Sequence, residues 1–115
     1  MSADAILVLI TAGGREEGVR LADMLVAARL AACVQILPEI ESIYHWKGKV
    51  ERTPETLLLA KTTQANFAAL ETAVRSLHSY ETPEIIALPI MAASAPYLKW
   101  LTANVIPQSN AEWAT

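Results

Sequence analysis

Cys33–Trp46 reads CVQILPEIESIYHW, Lys47-Gly48 follows, and Lys49–Thr62 (KVERTPETLLLAKT) returns. In the first segment Val34, Ile36, Pro38, Ile40, Ser42, Tyr44 and Trp46 take the even positions, and Cys33, Gln35, Leu37, Glu39, Glu41, Ile43 and His45 the odd ones. The even set is almost wholly apolar and the odd set mixed, which is the period-two repeat of a strand. Gly48 supplies the positive φ of a tight turn. The pattern predicts one long hairpin.

Its length carries a further expectation. Fourteen residues at about 3.3 Å each span roughly 46 Å. A compact chain of this size has a radius of gyration near ~13 Å and a body roughly 35 Å across. The arms must overhang unless Pro38 and Pro54 bend them. An overhang bearing Ile40, Ile43, Tyr44 and Trp46 is an aggregation-prone edge. A closed homo-oligomer joined by strand–strand contacts is the expected remedy.

Outward from the hairpin, the remaining elements follow with short punctuation. Ala5–Thr11 (AILVLIT) is a continuous apolar run, suited to a strand buried on both faces. Gly13-Gly14 breaks it. Arg15–Ala31 then predicts a helix with Val19, Ala22, Leu25/Val26 and Leu30 on its apolar face. Thr63 is placed to cap a second helix, Gln64–Ser79, in which Phe67, Leu70, Val74 and Leu77 recur at helical spacing. Glu84–Ile90 (EIIALPI) reads as a fourth strand, and Pro89 puts it at a sheet edge or a bulge. Ser94 caps a short helix, Ala95–Asn104, and Pro107–Thr115 carries no clear element. The order β-α-β-β-α-β plus a C-terminal helix is an α+β, ferredoxin-like sandwich, with strands one and three central. One domain over 1–115 is expected.

Composition bounds the function. Hydrophobic residues make up 53% and charged residues 18%, with a net charge of -3. Ordinary domains carry about 25% charged residues, so the chain is not disordered. The acidic balance argues against phosphate-based nucleic-acid binding and against a basic membrane-surface protein. Ala5–Ile10 is far shorter than the roughly 20 residues of a spanning helix. The acidic start and lone Cys33 give the expectation of an untargeted, cytoplasmic chain without a disulfide.

Several stretches together resemble one family. Ala31–Pro38, Ser42–Lys49, Leu57–Thr62, Tyr80–Ile90 and Tyr97–Leu101 are similar, in that order, to the CutA divalent-ion-tolerance proteins. The resemblance implies a ferredoxin-like domain assembled as a homotrimer, its hairpin reaching to a neighbour. It also implies a cytoplasmic role in tolerance of divalent metals, copper in particular, with no required cofactor and with copper or another divalent cation as the candidate ligand. Likeness to PII signalling trimers offers the alternative of a structural or signalling trimer that binds no metal.

The candidate residues follow. The family's bacterial copper ligands match Ile10, Leu77 and His78, of which only His78 has a ligand atom. His78 also reads as a cation at a helix C-terminus. His45 is either a solvated turn residue or a ligand shared between subunits, and Cys33 a small core residue. Lys61, Tyr80 and Glu84, with Trp46 from a neighbouring hairpin, are the candidate inter-subunit cleft for a small ligand; a structural ion pair is the other reading. Gly13-Gly14 reads as a tight turn or an anion nest. Acylphosphatase chemistry wants an Arg in the first loop and a water-orienting Asn; Arg15 is near that loop, whereas Asn66 opens a helix. No carboxylate pair or Ser-His-Asp set is visible, so no enzymatic activity is expected.

Overall fold

The computed structural model describes residues 4–107 of the chain. The tail expected to lack an element lies, from residue 108 onward, outside them. The elements are β1 (Ala5–Ala12), α1 (Arg15–Ala27), β2 (Cys33–Trp46), β3 (Lys49–Thr63), a 3-10 turn at Gln64–Asn66, α2 (Phe67–Leu77), β4 (Ile85–Pro89) and α3 (Ala95–Ala103). They form one antiparallel sheet ordered β2-β3-β1-β4, so strands one and three are central and the Pro89 strand is an edge, as expected.

One face of the sheet packs on the helices. Val8, Ile10, Leu58 and Ala60 there are fully buried against Leu21 and Leu25 of α1 and Leu70 and Val74 of α2. The apolar stripe of α1 differs from the expected one. Gly18, Leu21, Ala22 and Leu25 face inward, whereas Val26 is exposed. Gly18 explains the rotation: a Cβ on it would stand 2.9 Å from Thr56 Cγ2, so the helix seats on β3 through this glycine. The helix also stops at Ala27 rather than Ala31. Arg29 adopts φ 59, and the Leu30 and Ala31 amides both return to the Leu25 carbonyl, an αL C-terminal motif.

The hairpin turns through Lys47 and Gly48, both at positive φ, as a type I′ turn requires. Its two strands do not alternate as the even and odd positions imply. Leu37 pairs with Leu57 but Ile40 pairs with Glu55, so β2 carries one extra residue, a β-bulge at Pro38-Glu39. The bulge inverts parity. Val34 and Ile36 pair with Ala60 and Leu58 on the helix side, while Ile40, Ser42, Tyr44 and Trp46 pair with Glu55, Thr53, Glu51 and Lys49. The second group therefore continues the other face of the sheet.

That other face is only partly covered. Leu7, Leu9, Leu57 and Leu59 occupy its middle, flanked in register by Leu37 on β2 and by Ile86 and Leu88 on β4; the flanking three are exposed. α3 lies over one end, where the Lys61 ammonium sits 5.7 Å above the Tyr97 ring. Past Thr56, β3 has no β1 partner, and the arm projects from the body. The molecule measures 46 × 31 × 24 Å with a radius of gyration of 15.1 Å, longer than a compact chain of this length, and the predicted overhang is present.

Candidate functional site

The polar side chains that the fold gathers lie where α1 begins, where the arm leaves the body and where α2 ends. Helix α2 stops at Leu77, and His78 at φ -75, ψ 144 swings inward instead of facing the helix terminus. Its side chain is fully buried, so it is not a surface helix-end cation. Nε2 lies 2.7 Å from the Thr11 carbonyl, which only accepts, so Nε2 carries the proton and donates. Nδ1 accepts the Tyr80 amide at 3.0 Å. These partners assign a neutral ring. A Glu17 oxygen 3.5 Å from Nδ1 becomes an ion-pair partner only if the ring protonates.

Glu17 is the second buried polar group. It lies four residues before Leu21 and eight before Leu25, on the stripe that α1 buries. Its carboxylate accepts the Gly13 amide at 2.9 Å, the Ser79 amide at 2.7 Å and the Ser79 hydroxyl at 3.1 Å. Burial pushes its pKa up, but those hydrogen bonds outweigh it and hold the carboxyl below its ordinary range. The Gly13 N–H is thereby consumed within the fold, which favours the turn reading of Gly13-Gly14 over an anion nest.

Tyr80 follows. Its phenol donates to Glu55 Oε2 at 2.7 Å, and Glu55 Oε1 accepts the Ser42 hydroxyl at 2.6 Å. Burial first, then the bond to Glu55 and the negative charge of Glu55 and Glu17, push the Tyr80 pKa well above its ordinary value. The result is a continuous polar chain from Thr11 through His78 and Tyr80 to Glu55 and Ser42.

The other candidates fall elsewhere. Lys61 donates to Gln35 at 2.8 Å at the end of the sheet face that α3 covers and pairs in register with Cys33, which is half-buried. Lys61 stands six residues along β3 from Glu55, about 20 Å away, so within one chain it does not meet Tyr80. Glu84 is exposed just before β4. Trp46 is 58% exposed near the arm tip, beside the exposed His45. Asn66 is fully buried and donates to Thr63 and to the Ile106 carbonyl, a structural bracket rather than an orienter of water.

The residues present do not fit a copper centre at the expected place. Ile10 is a core residue and Leu77 half-exposed, and neither has a ligand atom. A metal on His78 has to displace either the Thr11 carbonyl or the Tyr80 amide. Among the described residues no group of three His, Cys, Asp or Glu is placed to hold a metal ion.

Comparison with known proteins adds a family. A family model described as CutA1 divalent ion tolerance protein matches residues 6–104. The divalent-cation tolerance protein CutA of Thermus thermophilus is 48% identical over 98 residues, covering 85% of this chain and 95% of that protein. The chloroplastic protein CutA of Arabidopsis thaliana is 47% identical over 97 residues, or 84% of this chain. The chain spans only about half the length of that relative and of similar rice and Xenopus laevis proteins. The crystal structure of CutA1 from Oryza sativa superposes with a TM-score of 0.89 at 42% identity, covering 91% of this chain and 96% of that one.

Proposed function

The chain belongs to the CutA1 divalent ion tolerance family, and from that premise we propose that it serves divalent-cation tolerance as a homotrimer. The observation that carries the assembly is the uncovered apolar sheet face and its continuation along the arm. Leu37, Ile86 and Leu88 are exposed on the body, and Tyr44 and Trp46 continue that face along the arm, whose opposite face exposes Ile43 and Val50. Subunit burial is the economical way to remove such surface from water. Each arm then lies on a neighbour and brings Trp46 to a cleft between subunits, with Lys61, Tyr80 and Glu84, contributed by different chains, as its polar candidates. A small ligand or cation held between subunits, not a His78 copper site, is the binding mode this reading favours.

The proposed protein is a single, non-enzymatic domain. Support comes from the way its relatives are named, as tolerance proteins rather than enzymes. A reducing compartment such as the cytoplasm suits the lone, half-buried Cys33 thiol. No helix among the described residues is long and apolar enough to cross a membrane.

Light scattering joined to a copper titration tests both parts. A solution mass three times that of the chain is expected, with copper affinity unchanged in His78→Ala. A monomer mass overturns the assembly. Loss of copper binding on His78→Ala restores a metal centre at that residue.

A further inference from the structure

We infer that residues 78–80 form a latch that fixes the angle at which the hairpin arm leaves the body, with the Tyr80 phenol as its catch on Glu55.

The placement of Glu55 is the core of the argument. β1 supports β3 only as far as Thr56, so Glu55 is the first β3 residue beyond that support. It pairs with Ile40, the first β2 residue past the bulge. Its carboxylate takes Ser42 from one arm strand at 2.6 Å and Tyr80 from the body at 2.7 Å. Among the described residues, every other side-chain hydrogen bond or ion pair of residues 40–55 stays within the arm: Tyr44 with Thr53, and Arg52 with Glu41. One phenol thus makes the whole polar side-chain connection from body to arm.

The latch is anchored at its other end. The Ser79 amide and hydroxyl are held by Glu17, the His78 imidazole by the Thr11 carbonyl, and the Tyr80 amide by His78. The phenol is therefore presented from a fixed base. The bulge beneath it is a natural bending point, though Thr56 Oγ1 steadies it by donating to the Pro38 carbonyl at 2.9 Å. From Ile40 to Trp46 the arm extends about 20 Å. A ten-degree change at the bulge displaces Trp46 by roughly 3.5 Å on that lever, enough to take an aromatic ring out of a fitted cleft. This consequence for assembly rests on the trimer reading; the angle itself does not.

Pulsed dipolar spectroscopy on the full chain reads that angle. Nitroxides are placed at Lys47→Cys on the turn and Glu71→Cys on α2, in a Cys33→Ser background, with labelled chains diluted into unlabelled ones. The unsubstituted latch is expected to give one narrow distance distribution. Tyr80→Phe and Glu55→Ala should each broaden or shift it by several Å, the double variant no further than either single one, and Tyr44→Phe should leave it unchanged. Wild-type distributions in both Tyr80→Phe and Glu55→Ala overturn the latch, as does an equal broadening in Tyr44→Phe. Light scattering on the same samples reads assembly separately, so a monomer with an intact, narrow distribution defeats the trimer and keeps the latch.

Discussion

Ser79 donates its backbone N–H to Glu17 Oε2 at 2.7 Å, joining the first turn of α1 to the segment that leaves α2. The carboxylate also takes the Ser79 hydroxyl and the Gly13 amide. A single buried acid therefore closes the loop before α1 and the loop after α2 at once.

Acid sensitivity follows from that junction. The folded Glu17 pKa lies below the ordinary 4.5, so its contribution to stability is present above that value and is lost as pH falls through the folded one. Urea midpoints between pH 7 and pH 3 should show a Glu17→Gln variant weaker at neutral pH by about 1.5–3 kcal/mol. Its decline below pH 4.5 should be shallower than that of the wild type. Parallel curves would remove Glu17 from the acid transition.

The alkaline limb belongs to Tyr80. Its pKa is raised above 10.0, so its contribution is full below that value and is lost as pH climbs through the raised one. In an absorbance titration at 295 nm the wild type should retain one tyrosine that ionises only as the fold gives way. Tyr80→Phe should delete that late step. A late step persisting in the variant assigns it to another tyrosine.

Gly18→Ala pits helix propensity against packing. Alanine gains up to about 1 kcal/mol of propensity, but its Cβ would stand 2.9 Å from Thr56 Cγ2. Thr56 is fully buried and its hydroxyl is committed to the Pro38 carbonyl, so it has little freedom to turn away. Overpacking should prevail, with a net loss of ~1–3 kcal/mol in chemical denaturation. A more stable variant would show that α1 can shift off β3 without cost.

Asn66→Ala removes donors from two acceptors, Thr63 Oγ1 at 2.8 Å and the Ile106 carbonyl at 3.0 Å. The site is fully buried, and an unsatisfied buried polar group costs on the order of 1–3 kcal/mol. Thermal denaturation should show that loss, and amide exchange should rise first around Ile106, whose N–H bonds to the Arg29 carbonyl. Unchanged melting would mean that water replaces the amide.

The element order, the central strands and the overhang were readable because each rests on local periodicity and chain length. The faces of the hairpin were not. Alternation from Cys33 to Trp46 treats Pro38-Glu39 as two ordinary pleats, whereas the chain spends one extra residue there, which only the register with Leu57 and Glu55 discloses. The end of α1 was hidden for a similar reason: Arg29 takes a left-handed conformation that its residue type does not announce. For the polar network the sequence held one usable sign, a glutamate at position 17 in line with Leu21 and Leu25. Glu55, Ser42 and Thr11 meet the segment after α2 only through long-range folding. Whether Trp46 meets Lys61 or Tyr80 depends on a second copy, which no local pattern encodes.

The first strand is synthesised early and completed late. β1 pairs Ala5 with Thr63 and Ile6 with Pro89, whereas the hairpin closes locally between Trp46 and Lys49. Hairpins form in about 1–10 μs, while distant strand pairing waits on slow loop closure. During synthesis the run AILVLIT must stay unpaired until β3 has left the ribosome, and its second edge stays open until β4 follows, so in that interval this short apolar segment is exposed to capture by another chain.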